Sequence, residues 1–75
     1  MQSDVRKTVA EEVRAELARQ QKSWRQLAEG VGINRESIRE SVRGDRAFRI
    51  EELTAIAAWL GVPVTQFLPA EAVAS

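Results

Sequence analysis

The sequence predicts an all-α domain of five helices, and three observations favour this class. Apolar residues recur every three or four positions in successive segments, which is the spacing of one helix face. Glycine and proline lie mainly at the ends of those segments, so they separate one helix from the next. No run alternates between apolar and polar residues as a half-buried strand does. The chain has 75 residues, so we expect a single domain over residues 1–75.

The first segment, residues 4–20, has an apolar residue at every fourth position and charged residues between them. The apolar positions are Val5, Val9, Val13 and Leu17. This pattern predicts a helix with one apolar face, capped by Ser3 and with Asp4 at its positive end. We interpret it as a packing helix. The alternative is a dimerising coiled coil, but the pattern lasts only about two heptads, fewer than that assignment requires.

Two short helices joined by a glycine-containing turn are predicted next. Ser23, followed three residues later by Gln26, has the pattern of a capping box and predicts the start of the second helix. Gly32 favours the left-handed conformation that ends such a helix. Asn34 is a favoured N-cap, so we expect the third helix over residues 35–43, immediately before another glycine.

The fourth helix is predicted over about residues 50–60, because five apolar residues there share one broad face. They are Ile50, Leu53, Ile56, Ala57 and Leu60. Pro63 and Pro69 then bound one short last turn at residues 64–68. We expect residues 70–75 to be a frayed tail.

The composition excludes several classes of function. The chain has no cysteine and no histidine, so it lacks the usual general base near pH 7, a thiol nucleophile and ordinary zinc ligands. The remaining polar residues form no recognisable catalytic arrangement or phosphate-binding loop. We therefore expect a protein that is not an enzyme and binds no metal, cofactor or small-molecule ligand. Because no apolar run can span a bilayer or act as a signal peptide, we expect it in the cytoplasm, without membrane contact.

Positive charge is concentrated in the middle of the chain. Eleven basic and eleven acidic residues give a net charge of zero overall. Between residues 22 and 49, however, seven basic residues stand against four acidic ones, a net charge of +3. The distribution of charge matters more than its total for contact with nucleic acid. The segment with the two short helices is therefore the candidate for such contact.

The third helix has an unusual balance between its two faces. Only Ile38 and Val42 are apolar on its inward side, whereas arginine and glutamate crowd the opposite side. A helix with so few inward anchors is expected to lie on the outside of the domain, exposed along its length. Such a helix fits the DNA major groove, which is about 12 Å wide.

From Ser23 to Leu68 the sequence resembles the Xre-type helix-turn-helix family, which includes the phage Cro proteins and lambda-type repressors. The resemblance depends on the joint spacing of several landmarks: Leu27-Ala28, Gly32-Ile33-Asn34, Ile38, Arg43-Gly44, Ile50, Leu53, Ile56-Ala57, Leu60-Gly61-Val62 and Phe67-Leu68. It implies a compact lambda-repressor-like domain of five helices, with the helix-turn-helix motif at residues 23–44. It also implies sequence-specific binding of double-stranded DNA and transcriptional regulation, often as a homodimer on an inverted repeat.

The resemblance implies that Arg35, Glu36 and Glu40 read bases, with Arg39 placed beside them. Arginine forms a fork to guanine and glutamate accepts from cytosine, so these residues suit a site that contains G·C pairs. A second interpretation is also open, in which the charges only pair with each other on a solvated helix. Glu36 with Arg39, and Glu40 with Arg43, have the spacing for such pairs.

The resemblance implies contacts to the DNA backbone at Asn34 and Arg43, and at Ser23 and Trp24 at the start of the second helix. Trp24 stands where the family usually has glutamine. Two roles are open for it: its indole N–H donates to a phosphate, or its ring packs on the first helix.

Other residues near the motif also have two interpretations each. Four basic residues flank the motif, either as phosphate contacts or as solubilising surface charges: Lys22, Arg25, Arg46 and Arg49. Trp59 and Phe67 near the C-terminus belong either to the core or to a dimer contact, since the last helix often pairs subunits in this family.

The sequence departs from the family at several positions, and rival functions stay open. Phe48 replaces a frequent proline, Ser41 replaces an often apolar residue, and the usual glycine before Ser23 is missing. One rival is the antitoxin of a toxin–antitoxin pair, which shares the fold. Another is a protein-interaction module that does not bind DNA. A monomer on an asymmetric site is the alternative to a homodimer.

Overall fold

The computed structural model describes residues 4–69, which form four α-helices and one short 3₁₀ helix. The α-helices are α1 (Val5–Arg19), α2 (Trp24–Val31), α3 (Arg35–Val42) and α4 (Ile50–Leu60), and the 3₁₀ helix is Val64–Phe67. The predicted all-α helix-turn-helix class is confirmed, with a fifth element that is 3₁₀ rather than α. No residue between 4 and 69 lies in a strand. The predicted tail lies outside the described residues.

Each end of α1 differs from the prediction by one residue. Asp4 is the N-cap, and its Oδ1 accepts a hydrogen bond from the backbone N–H of Lys7 at 3.4 Å. The predicted cap, Ser3, lies outside the described residues. After α1, Gln21 adopts a left-handed backbone conformation with φ +56°. Glutamine thus adopts, in this turn, the left-handed conformation that is usually occupied by glycine.

Every helix contributes apolar side chains to one core. The buried apolar residues are Val9, Ala10, Val13, Leu17, Leu27, Ala28, Ile38, Val42, Leu53, Ile56, Ala57, Leu60 and Phe67. Leu27, Ile38, Ile56 and Phe67 have no exposed surface, so α2, α3, α4 and the 3₁₀ helix meet at the centre. One face of α3 packs on this core, so its other face points outward.

Two residues of the predicted apolar faces are not in the core. Val5 is 44% exposed and Ile50 is 62% exposed. Each is the first residue of its helix, and a helical side chain leans toward the preceding turn, which is missing there. The two side chains line a groove of about 360 Å³ together with Phe48 and Leu68. An apolar surface of this kind stays accessible in a single chain.

A buried carboxylate joins α1 to the 3₁₀ helix. Glu16 accepts hydrogen bonds from Gln20 Nε2 at 2.8 Å and from Arg19 Nη2 at 2.8 Å, and a further one from Gln66 Nε2 in the 3₁₀ helix. Gln20 Nε2 also donates to the carbonyl of Leu60 at 2.8 Å. The hydrogen bond from Gln20, followed by that from Arg19, lowers the pKa of Glu16 below its ordinary value despite burial.

The lowered pKa of Glu16 predicts a loss of stability in acid. A carboxyl whose pKa is lower in the folded state favours folding above its ordinary pKa, and this contribution is lost as pH falls through the folded value. We therefore expect Glu16→Gln to lower the thermal midpoint at pH 7, and the gap from the wild type to shrink as the pH is lowered below about 4.3, the ordinary glutamate pKa. Calorimetry across this range measures the gap, and Glu11→Gln, on the exposed side of α1, is the control. A difference in thermal midpoint that stays constant with pH would contradict the stabilising role of the Glu16 carboxylate.

Candidate nucleic-acid interface

The start of α2 has the predicted capping box. Ser23 Oγ accepts from the backbone N–H of Gln26 at 3.1 Å, and Gln26 Oε1 accepts from the backbone N–H of Ser23 at 2.7 Å. At the other end, Gly32 has φ +72° and its N–H donates to the carbonyl of Ala28 at 3.0 Å. This left-handed glycine reverses the chain between α2 and α3 within a few residues.

The start of α3 is capped by Asn34, as predicted. Its Oδ1 accepts from the backbone N–H groups of Glu36 at 2.9 Å and Ser37 at 3.2 Å. The helix ends at Val42, one residue earlier than expected, and Arg43 is its C-cap. On its inward side Ile38, Ser41 and Val42 are buried. The cap and these contacts hold α3 at the surface with its other side free.

The outward face of α3 holds all four predicted base-reading residues together. These residues, Arg35, Glu36, Arg39 and Glu40, are exposed, and so is Arg43. The face therefore presents guanidinium and carboxylate groups along the full length of the helix. Such groups are the donors and acceptors that match base edges in a major groove.

The three arginines of this face each lie within ion-pairing distance of a carboxylate. The nitrogen–oxygen distances are 3.9 Å for Arg35–Glu29, 2.9 Å for Arg39–Glu36 and 3.5 Å for Arg43–Asp45. The predicted Glu36–Arg39 pair is thus present, whereas Arg43 pairs with Asp45 rather than Glu40. Exposed pairs of this kind contribute at most about 1 kcal/mol each, so a stronger partner can displace them.

The inward side of α3 is held by two arginines whose role sequence reasoning missed. Arg14 of α1 donates through Nη1 to the carbonyl of Val42, in the last turn of α3. Arg46 donates through Nη1 to Ser41 Oγ at 2.7 Å and also pairs with Glu52 of α4. The sequence contains one signal for the role of Arg46. Ser41 lies on the apolar side of α3, and a hydroxyl buried there needs a hydrogen-bond partner.

Arg46, one of the four flanking basic residues, is held by partners within the chain. Its side chain is only 26% exposed and that of Glu52 only 13% exposed. The hydrogen bond to Glu52 raises the pKa of Arg46. Burial by itself raises the pKa of Glu52, but hydrogen bonds from Arg46 and from the backbone of Arg49 outweigh it and lower that pKa. Arg46 therefore has strong internal partners in the protein without DNA.

Two of the other flanking residues, Lys22 and Arg25, lie beside or within the first turn of α2. Lys22 Nζ is 4.5 Å from the centroid of the Trp59 ring, and Arg25 Cζ is 4.7 Å from that of Trp24. Both are cation–π distances. Arg49 is exposed and is the N-cap of α4. Lys22 and Arg25 thus each have an aromatic partner in their own chain, and Arg25 and Arg49 are exposed.

Trp24 and Trp59 are both half-buried and pack within the chain. Trp24 packs against the core and lines a groove of about 290 Å³ with Leu17 of α1, which favours the packing role left open for it. Trp59 of α4 lies across Gly30 of α2, where an added Cβ would be 2.2 Å from Nε1 of the indole. Only glycine leaves room for the ring at this position.

Phe67 belongs to the core, the first of the two roles considered for it. It has no exposed surface, and the 3₁₀ helix that carries it packs on α1 and α4. The proposed dimer contact at Phe67 is therefore corrected, since a completely buried ring offers no surface to a partner. Among the described residues, the large apolar side chains that are exposed are Val5 and Ile50.

Neither a metal centre nor a membrane-spanning segment is found in the part of the chain that the structure describes. No cluster of three or more carboxylates between residues 4 and 69 is placed to hold a metal ion. No helix in this range has the length and apolar composition to cross a membrane. The site that the described residues do form is the exposed, charged face of α3.

Comparison with known proteins agrees with this geometry. The profile of a helix-turn-helix family matches residues 13–67. The DNA-binding domain of BldD has 30% sequence identity and a TM-score of 0.76, over 92% of this chain and all of that domain. The hypothetical transcription factor NHTF from Neisseria has 22% identity and a TM-score of 0.81, over 99% of this chain and 88% of that one.

A third similar structure is the restriction-modification controller protein C.AhdI from Aeromonas hydrophila. It has 18% identity and a TM-score of 0.77, over 83% of this chain and 94% of that one. A search of curated protein sequences gave no match. The likeness to NHTF and C.AhdI shows a shared fold, and the family profile covers most of the chain, from α1 to the 3₁₀ helix. The chain therefore belongs to the helix-turn-helix family of DNA-binding regulators.

Proposed function

We propose that this protein regulates transcription by binding a specific sequence in double-stranded DNA through α3, as a repressor of the phage or Cro type. The observation that carries the proposal is the outward face of α3. Its exposed arginines and glutamates are held from behind by the buried Ile38 and Val42 and by Arg14. A rigid, exposed, eight-residue helix with this composition is suited to read base edges in a major groove.

Contacts with the DNA backbone are assigned to groups on both sides of α3. Ser23, Trp24 and Arg25 lie at the start of α2, where the backbone N–H groups of the first turn suit a phosphate. Arg43 and Arg49 lie beyond the other end of α3 and keep exposed guanidinium groups. Phosphate contacts at both ends would set the register of α3 in the groove, because such contacts position the protein without reading sequence.

The proposal includes a homodimer on DNA. One domain of this size contacts few base pairs, whereas two domains on half-sites about one helical turn apart double the contacts. The exposed Val5 and Ile50 give a single chain an apolar surface that association can bury. Trp59, which is only half-buried against α2, stays a candidate for a smaller contact.

The test is selection of bound sequences from a random duplex pool, followed by titration of the best site at several salt concentrations. If a dimer contacts about six to eight phosphates, log K is expected to fall with log salt at a slope of about −5 to −7. Sedimentation of the complex counts the chains per duplex. A flat salt response, or no duplex binding at low salt, would contradict DNA binding. One chain on each high-affinity duplex would contradict the homodimer but not DNA binding.

A further inference from the structure

A buried serine lies in the last turn of α3 where the helix packs on the core. Ser41 has no exposed surface, although Ile38 and Val42 beside it are apolar and also buried. A hydroxyl without a hydrogen-bond partner is unfavourable in such a place. Arg46 Nη1 supplies the partner at 2.7 Å. The polar side chain therefore depends on a residue of the loop that follows α3.

The same guanidinium forms a two-pronged contact with α4. Arg46 Nη1 is 3.2 Å from Glu52 Oε1, and Arg46 Nη2 is 3.0 Å from Glu52 Oε2. Paired contacts of this kind fix the orientation of both side chains as well as their distance. Arg46 thus joins the last turn of α3 to the first turn of α4 through one planar group.

Glu52 also holds the end of the loop. Its Oε1 accepts from the backbone N–H of Arg49 at 2.9 Å, at the N-cap of α4. The chain of contacts Ser41–Arg46–Glu52–Arg49 therefore spans the whole connection between α3 and α4. The conformation of residues 43–49, and with it the place of Arg43, depends on these contacts.

We infer that Arg46 is a positioning residue that sets the angle of α3 for sequence reading, and that it does not bind DNA phosphate itself. This inference rests on the proposed function. To reach a phosphate, Arg46 would have to leave a buried hydroxyl and a mostly buried carboxylate without their partner, which is unfavourable. Arg43 and Arg49 face no such obstacle, because both are exposed.

The angle of α3 matters more for a specific site than for random DNA. To read a sequence, several side chains must at once lie within a fraction of an ångström of their positions on the base edges. Contacts to phosphate tolerate larger shifts of the side chains. With only two apolar anchors, α3 gains much of its orientation from polar contacts at its C-terminal end. Loss of Arg46 is therefore expected to weaken discrimination between sequences.

The first test compares Arg46→Ala and Arg46→Lys with the wild type, on the selected best site and on a random duplex of equal length. We expect each variant to weaken binding to the best site by about 3- to 30-fold more than binding to random DNA, with the salt slope unchanged. Lysine keeps the positive charge but lacks the planar guanidinium, so Arg46→Lys is not expected to restore binding to the best site. A phosphate contact predicts the opposite: lysine rescues, and alanine weakens both duplexes equally and makes the slope shallower by about one.

A second variant, at Glu52, tests the same inference if Arg46→Ala destabilises the fold. Glu52→Gln keeps the size of the side chain and removes no positive charge. Positioning predicts weaker binding to the best site, because the Arg46 contact is weakened. A phosphate role predicts tighter binding to both duplexes, because Arg46 is released. Arg49→Ala is the matched control, an exposed arginine in the same loop, expected to change the salt slope.

Hydrogen exchange gives a readout that does not involve DNA. In Arg46→Ala the backbone amides of residues 41–46 are expected to exchange faster, while those of α1 stay unchanged. Unchanged exchange in the loop would overturn the positioning role even if DNA binding is weaker. Failure of the wild type to bind any duplex is a separate outcome: it overturns the proposed function, and the role in sequence reading with it.

Discussion

Leu53→Ala is expected to leave most of the protein unfolded at room temperature. Leu53 lies on the inward face of α4 with 4% of its surface exposed, in contact with the core. Truncation of a buried leucine to alanine typically costs about 2–5 kcal/mol, because it removes buried methyl groups and leaves a cavity. A domain of this size has a total free energy of unfolding of only about 5 kcal/mol, so the loss is comparable with the whole.

Circular dichroism during thermal and urea unfolding measures this change. Ile50→Ala is the matched control, since Ile50 is an apolar residue of the same helix but is mostly exposed. Its removal is expected to shift the midpoint much less. Equal effects for the two variants, or an unchanged midpoint for Leu53→Ala, would mean that the inner face of α4 is wrongly assigned.

Local signals predicted most of the helices. The Ser23–Gln26 capping box and the Asn34 cap both form as the sequence indicates, because a cap depends only on residues within one turn. The fourth helix has its predicted bounds, Ile50–Leu60. Periodicity alone did not show that Ile50 is exposed. That depends on whether another element covers the first turn of the helix, which is a matter of tertiary packing.

Long-range polar contacts could not be predicted from the pattern. Arg46 resembled any exposed arginine in a loop, and the structure instead joins it to Ser41 and Glu52. Glu16 fell among charged residues of an amphipathic helix and is buried with three side-chain donors. Arg46 joins residues of two other elements, and Glu16 has one partner, Gln66, on another element beside two in its own helix turn. Only the folded arrangement brings the distant partners together.

The structure has the predicted base-reading residues on one exposed face, the arrangement needed for sequence reading. It also has one of the two ion pairs of the rival interpretation, Glu36–Arg39, and a further pair, Arg35–Glu29. The pairs Arg35–Glu29 and Arg39–Glu36 link this face to acidic residues in the same chain. Both interpretations are compatible in one molecule. Exposed pairs contribute at most about 1 kcal/mol each, so a DNA partner can displace them. The zero net charge of the chain is consistent with low affinity for random DNA.

The two ends of α3 are expected to respond differently to loss of an arginine. Arg35 follows the Asn34 cap at the N-terminal end of the helix, the end that typically contacts base edges. Arg43 is the C-cap, where the chain leaves the helix, and the proposed function assigns it to the DNA backbone. Their side chains are 62% and 59% exposed, so replacement of either is expected to leave the fold intact.

Arg35→Ala is therefore expected to cost about 1–3 kcal/mol on the best site and much less on random DNA, and to flatten the preference at one base pair. Arg43→Ala is expected to weaken both duplexes to a similar degree and to make the salt slope shallower by about one. Competition titrations at matched salt measure both effects, with Arg6→Ala, an exposed arginine of α1, as the control. If α3 is only a solvated helix, neither variant changes affinity. If Arg35→Ala weakens both duplexes equally, Arg35 binds phosphate and α3 lies in the groove in a different register.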